Sequence, residues 1–214
     1  MTRRFRQIAA LSWATVASSM GALGMAASDT PAAPAAFPAD ARFALLEREY
    51  VIDFLDRNPV VATYLGGAVL DASLAQIDSR LRDPSPEALA AEDRRLSRFR
   101  SQFLALDPRK LSPRRRIDRE VAVAQIQFIL HAHDVRHTPE RALDSYVDEP
   151  FRGVDWLLQG FQAMGDGHYG GAADWAHLID RVRAIPSYLE RAQRQLAAGV
   201  KAGRTPDWRV LRGY

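Results

Sequence analysis

The chain has 214 residues, of which 47% are hydrophobic and 26% charged, enough for one ordinary domain or part of a larger one. That balance excludes wholesale disorder. The formal net charge is +3, with 29 basic and 26 acidic residues, and cysteine is absent, so disulfides and cysteine nucleophiles are excluded.

The N-terminus carries most of the charge imbalance. Arg3, Arg4 and Arg6 precede an uncharged stretch from Ile8 to Ala27, followed by Ser28, Asp29 and small residues. This is the layout of a secretory signal, with cleavage expected near residues 26–28. Residues 1–27 are therefore read as a signal peptide and the protein as exported, periplasmic or extracellular. A retained membrane anchor is the competing reading and the only membrane contact expected. Ser12, Thr15, Ser18, Ser19 and two glycines leave the stretch only moderately apolar. The Arg3-Arg4 pair invites a twin-arginine reading, but the residues after it fit the general secretory route better. Once the signal is removed, the remaining chain holds 26 basic and 26 acidic residues, so the high isoelectric point gives no reason to expect a nucleic-acid partner.

Residues 28–38 (SDTPAAPAAFP) form an Ala/Pro-rich linker. From residue 39 onward the spacing predicts helices. The first runs from Ala39 to Asn58 with Phe43, Leu46, Tyr50 and Phe54 on one face, and Pro59 ends it. A short helical turn from Val60 to Leu65 stops at Gly66-Gly67. Ser85-Pro86-Glu87 supplies a capping hydroxyl, a first-position proline and a first-turn acid. The helix that follows carries a Leu89, Leu96, Phe99, Phe103, Leu106 stripe.

Ser112-Pro113 repeats that start. Its helix is expected to bury Ile117, Val121, Ala124, Phe128 and Val135 and to end before Thr138-Pro139. The last long helix, Ala172 to Val200, is expected to bury Trp175, Leu178, Val182, Ile185, Leu189, Ala192, Leu196 and Val200, with a kink at Pro186. No segment shows sustained period-two alternation. The expected fold class is all-α, an antiparallel array of long helices with proline-marked breaks and no significant sheet.

Candidate chemistry is sparse. His133 and His137, spaced i, i+4 at the end of a helix, share a face as zinc-binding pairs do. Asp134 stands where a metallopeptidase helix has Glu, and a third ligand would have to come from His168 or His177. Helix-end histidines that favour the dipole are the simpler account, so these two are the only metal candidates. The Gly-rich segment Gly165 to Gly171 reads as a connector rather than a ligand loop. Arg114-Arg115-Arg116, followed at once by Asp118 and Glu120, reads as a solvated first turn. The segment from Tyr146 to Met164 mixes Tyr146 and Trp156 with Asp148, Glu149 and Asp155, which suits either a substrate groove or helix packing. No catalytic residue is assigned.

Two segments, Phe54 to Gly66 (FLDRNPVVATYLG) and Arg181 to Leu211 (RVRAIPSYLERAQRQLAAGVKAGRTPDWRVL), resemble the bacterial family called domain of unknown function 885. The resemblance covers roughly residues 41–211 and rests on the Asn58-Pro59-Val60-Val61-Ala62-Thr63 and Ile185-Pro186-x-x-Leu189 runs. It implies an all-helical, usually exported protein similar to zinc carboxypeptidases, whose zinc ligands and catalytic Glu lie in a downstream His-Glu-x-x-His helix. That motif does not occur in these 214 residues. Residues 39–214 are thus expected to be the N-terminal portion of a longer peptidase-like domain, inactive alone. Zinc is implied only for full-length relatives and no cofactor for this chain. No partner is assigned, the missing C-terminal half and self-association being the two candidates. A periplasmic helical protein-binding or scaffolding module is the alternative.

Overall fold

In the computed structural model the described residues are 37–162 and 169–213. The expected signal peptide and all but the last two residues of the linker lie outside them.

Proline sets most of the helix starts. Helix α1 spans Asp40–Arg57, and Pro59 opens α2 (Pro59–Leu65) one residue later. Gly66, in the left-handed region at φ 73°, turns the chain into the short α3 (Gly67–Leu70). Two 3-10 turns, Ala72–Leu74 and Ile77–Ser79, lead to α4 (Pro86–Leu104). There Ser85 Oγ accepts from the Ala88 amide at 3.3 Å, the capping expected from the Ser-Pro start. A turn at Pro108–Lys110 joins α4 to α5 (Pro113–Asp134), and a turn at Thr138–Glu140 joins α5 to α6 (Leu143–Gln162). Helices α7 (Ala172–Lys201) and α8 (Trp208–Gly213) complete the described chain. Among the described residues there is no strand, so the all-α expectation holds. No helix among them is long and apolar enough to cross a membrane.

The helices fall into two packed groups. In the first, α1, α4 and α5 enclose Phe43, Tyr50, Leu96, Phe99, Phe103, Val123 and Ile126. Tyr50 stands edge-on to Phe99 (5.4 Å between centroids) and to Phe103 (5.8 Å), a geometry that aromatic quadrupoles favour. This core matches the stripes expected for α1 and α4. In the second group α2, α6 and α7 pack with the Ile77–Ser79 turn, through smaller clusters such as Leu55, Ala62, Leu74 and Ile77, or Ala142, Tyr146, Tyr188 and Ala192.

Two expected faces are corrected. Helix α5 buries Arg119, Val123 and Ile126, while Ile117 and Phe128 are 65% and 64% exposed and Val121, Ala124 and Val135 also face out. The helix is apolar on more than one side, so periodicity alone could not choose. Arg119 decides the rotation: its guanidinium donates to Phe103 O (2.9 Å) and Leu104 O (3.2 Å), satisfying carbonyls at the end of α4. Nor does the Ser112 hydroxyl cap α5; Asp40 Oδ1 accepts the Ser112 amide at 3.0 Å, tying the start of α5 to α1.

Helix α7 buries Leu178, Arg181, Tyr188, Ala192, Gln195 and Gly199, leaving Trp175, Val182, Leu189 and Val200 exposed and Ile185 and Leu196 half-buried. Leu178 and Ala192 of the expected stripe are buried; the rest of the inner face carries Arg181, Tyr188 and Gln195, which a hydrophobicity pattern does not select. Pro186 sits inside the continuous helix, and Pro150, which the sequence reading overlooked, sits likewise inside α6.

Arg181 is fully buried and joins four elements. It donates to Gly153 O on α6 (2.9 Å), Thr63 Oγ1 on α2 (2.7 Å) and Ile77 O in the 3-10 turn (3.0 Å). The Thr63 hydroxyl in turn donates a hydrogen bond to Asp78 Oδ1 at 2.6 Å. Burial lowers the Arg181 pKa to about 10, still charged at neutral pH, with Asp78 and then Glu149 opposing the shift. A Cβ on Gly153 would lie 3.1 Å from Arg181 Cδ, so glycine there makes room for the guanidinium stem.

Arg181→Met should remove the guanidinium shared by Gly153 O, Thr63 Oγ1 and Ile77 O, the last keeping only the Arg80 amide, and lower unfolding free energy by about 3 kcal/mol, read from urea denaturation. At the other end of α7, a Cβ on Gly199 would fall 2.1 Å from Glu140 O. Gly199→Ala must push the Thr138–Glu140 turn away, at a cost of about 1–3 kcal/mol in the same measurement.

Candidate functional site

A cavity of about 360 Å³ opens where the two helical groups meet. Its apolar wall comes from Phe54 on α1, Leu89 on α4, Phe128, Ile129 and Ala132 on α5, and Pro139 in the turn after α5. The polar wall comes from Asn58, Arg82, Glu92, Tyr146 and Glu149, with Tyr188 reaching in from α7. Volume and lining are those of a small-molecule or side-chain pocket, apolar with a few convergent polar groups.

Glu92 fixes the floor. It is 4% exposed and accepts from Arg57 Nη1 and from Arg82 Nη2, the latter at 2.6 Å. Arg57 Nε also donates to Asp53 at 2.7 Å, and Arg82 Nη1 donates to Asn58 Oδ1. The Arg82 amide in turn donates to Glu149 Oε1 at 3.2 Å, carrying the network across to α6.

Titration in the cavity is governed by burial. Desolvation raises the Glu149 pKa above its ordinary 4.5, against the opposing pull of the Arg82 amide, Arg82 and Arg181 charges. Tyr146 is pushed up to about 12 by burial, and its hydroxyl donates to Pro139 O at 2.6 Å. Tyr188 is pushed up as well, first by burial and then by Glu149 and Tyr146. A desolvated carboxyl facing two tyrosines can accept a hydrogen bond when ionised and donate one when protonated.

The sequence-derived candidates separate. His133 lines the cavity, with Nδ1 2.7 Å from Asp93 Oδ1 on α4. His137 does not share its helix face, because α5 ends at Asp134 and His137 sits in the left-handed region at φ 50°. The chain leaves the helix to enter the Thr138–Glu140 turn, so the i, i+4 geometry does not form. His177 lies on α7, and His168 lies outside the described residues. Among the described residues, no three His, Asp or Glu side chains converge as a metal site.

The Gly165–Gly171 segment is described only from Tyr169. In the Tyr146–Met164 segment, Tyr146 and Glu149 face the cavity, while Asp148 and Asp155 pair with Arg152 and Trp156 packs against Tyr64 with tilted rings, 4.7 Å between centroids. Sequence reasoning missed Arg57, Arg82, Glu92 and Tyr188. Tyr188 had a usable signal, since it lies between Pro186 and Leu189 in a run that already stood out.

An all-helical unit with an apolar, carboxyl-bearing cavity between two helical groups is the class that fold and site define. The family model described as "Bacterial protein of unknown function (DUF885)" matches residues 59–213, and the chain belongs to that family. No curated protein and no solved structure matches the chain. The match contains both segments on which the family resemblance rested apart from residues 54–58, and the structure joins them through the Arg181–Thr63 hydrogen bond.

Burial makes folded Glu149 hold its proton more tightly than the unfolded chain does. Its contribution to stability is therefore fully present below the ordinary value of 4.5 and lost as pH rises through its raised folded value. Glu149→Gln keeps an acceptor for the Arg82 amide and removes the titration. Urea unfolding from about pH 4 to about pH 8 should show a flatter profile for the variant, which at neutral pH should be at least as stable as the parent.

Proposed function

We propose that this protein acts outside the cytoplasm as the helical wall of a peptidase-like binding cleft, holding an apolar group in the cavity while the 214 residues supply no hydrolytic chemistry of their own. The observation that carries this reading is the cavity: an apolar box closed at one end by the desolvated Glu149 carboxyl and the Tyr146 and Tyr188 rings. Such a site takes an aliphatic or aromatic side chain and hydrogen-bonds the amide or amine beside it. The sequence contributes a second support. Metal-dependent hydrolysis needs about three ligands, an open coordination position and a base near the bound water, and neither a His-Glu-x-x-His run nor a cysteine nucleophile occurs. Export rests on the basic, then apolar, then small-residue order of residues 1–28.

A second reading, a protein-binding module, is favoured by one feature. Ile117, Val121 and Phe128 form an exposed apolar row on α5, the kind of surface that partners cover. A monomer at all concentrations in size-exclusion chromatography, with a cooperative melt, would support this reading, and concentration-dependent self-association would count against it.

The cleft reading is tested by titrating short peptides with bulky apolar residues into the purified protein and following heat or tyrosine fluorescence. Ser145, exposed at the cavity edge, can be replaced without touching the core. Ser145→Trp should weaken binding roughly tenfold, equivalent to about 1.4 kcal/mol, with an unchanged circular dichroism spectrum. Equal binding by parent and variant would sink the cavity assignment. The same peptides with added zinc should show no turnover above a metal-only blank; turnover abolished by His133→Ala would overturn the non-catalytic part of the proposal.

A further inference from the structure

The Arg82–Glu92 pair also borders a second, smaller recess of about 170 Å³. Its character is opposite to that of the cavity, for four guanidinium groups line it: Arg57, Arg80, Arg82 and Arg95. The volume is below that of a drug-sized ligand site and suits a small ion or one terminal group.

The carboxylates around the recess are already engaged. Glu92 spends one oxygen on Arg57 and the other on Arg82. Asp56 accepts from Arg80 at 2.6 Å, and Asp53 lies against Arg57 Nε at 2.7 Å and Arg95 Nε at 3.0 Å. Asp83 accepts the Ser85 amide at 2.9 Å and faces Arg191 at 3.2 Å. The recess lining itself holds four guanidinium groups and three carboxylates, Asp56, Asp83 and Glu92, with Asp53 and Arg191 paired to lining residues.

Donors, by contrast, remain. Arg57 is 9% exposed, and its Nη2 is buried without a hydrogen-bond partner among the described residues. A buried guanidinium nitrogen left unpaired is costly, and what completes it must be an acceptor. With one cation in excess, the matching acceptor is an anion, and guanidinium groups recognise oxyanions through paired N–H donors.

We propose that this recess binds a small oxyanion, with Arg57 Nη2 as its inner donor and Arg80 and Arg95 as its rim. Nη2 is closed off from solvent, so the two partly exposed rim side chains move aside as the ion enters. The site is independent of what occupies the apolar cavity. Phosphate and carboxylate share the chemistry that this arrangement recognises.

The test uses the full chain, with inorganic phosphate or acetate titrated against chloride at matched ionic strength. The readouts are the thermal midpoint and, for phosphate, phosphorus NMR line width. A saturable rise in midpoint above the chloride control is expected; a response to phosphate alone assigns a tetrahedral oxyanion, and a response to acetate as well assigns a carboxylate-accepting site. Arg57→Gln removes the inner donor but also breaks the Glu92 pair and can fail to fold. The Arg80→Gln/Arg95→Gln double variant keeps that pair and should weaken the apparent affinity about tenfold, whereas Arg109→Gln, exposed and outside the recess, should respond as the parent does. No saturable response to either anion beyond chloride, or equal responses from the double variant and Arg109→Gln, would overturn the assignment.

Discussion

Glu92 is held almost without solvent between two guanidinium groups that come from different parts of the chain, Arg57 at the end of α1 and Arg82 in the segment before α4. A carboxylate this deep needs both partners, because its desolvation is repaid only by close charges and filled lone pairs. The consequence is geometric. The end of α1, the middle of α4 and the Arg82 segment are locked at one point, and the apolar cavity and the arginine-lined recess both border that point. Loss of one partner would leave an uncompensated charge in the interior, typically a penalty of about 3–5 kcal/mol.

Arg181 plays the corresponding part in the second helical group. Its guanidinium binds two backbone carbonyls and a threonine hydroxyl from three elements, a set of acceptors that no apolar side chain could satisfy. The packing around it depends on what is absent: Gly153 leaves space for the arginine stem. These polar and small residues, more than the apolar stripes, determine how α2, α6 and α7 sit against one another.

The two helical groups meet at a cavity rather than at a continuous core, and this is what gives the fold a site. Aromatic packing closes the first group tightly around Tyr50, Phe99 and Phe103. The second group presents Tyr146, Glu149 and Tyr188 toward the junction. Burial there raises both tyrosines and the Glu149 carboxyl above their ordinary values, and the Arg82–Glu92 pair stands beside them in the same wall.

The sequence by itself determined the elements. Proline at first helical positions, Ser85 at a cap and the three- and four-residue spacing of apolar side chains are local signals, and they placed α1, α4, α5 and α7 and excluded strands. It also determined the core faces of α1 and α4, where the aromatic and leucine stripe at three- and four-residue spacing is the side that is buried. What tertiary structure alone decided was the rotation of α5 and α7 and the composition of the site. Helix α5 is apolar on several sides, and the face that turns inward packs Val123 and Ile126 into the core while setting Arg119 on the Phe103 and Leu104 carbonyls of α4. Helix α7 turns inward the arginine and glutamine that a hydrophobicity pattern reads as outward. The cavity joins Phe54, Glu92, Phe128, Glu149 and Tyr188 from five helices, and the His133–His137 spacing misled because the helix ended between them. Spacing reports neighbours within one helix; a site built across five depends on long-range polar contacts that no local period encodes.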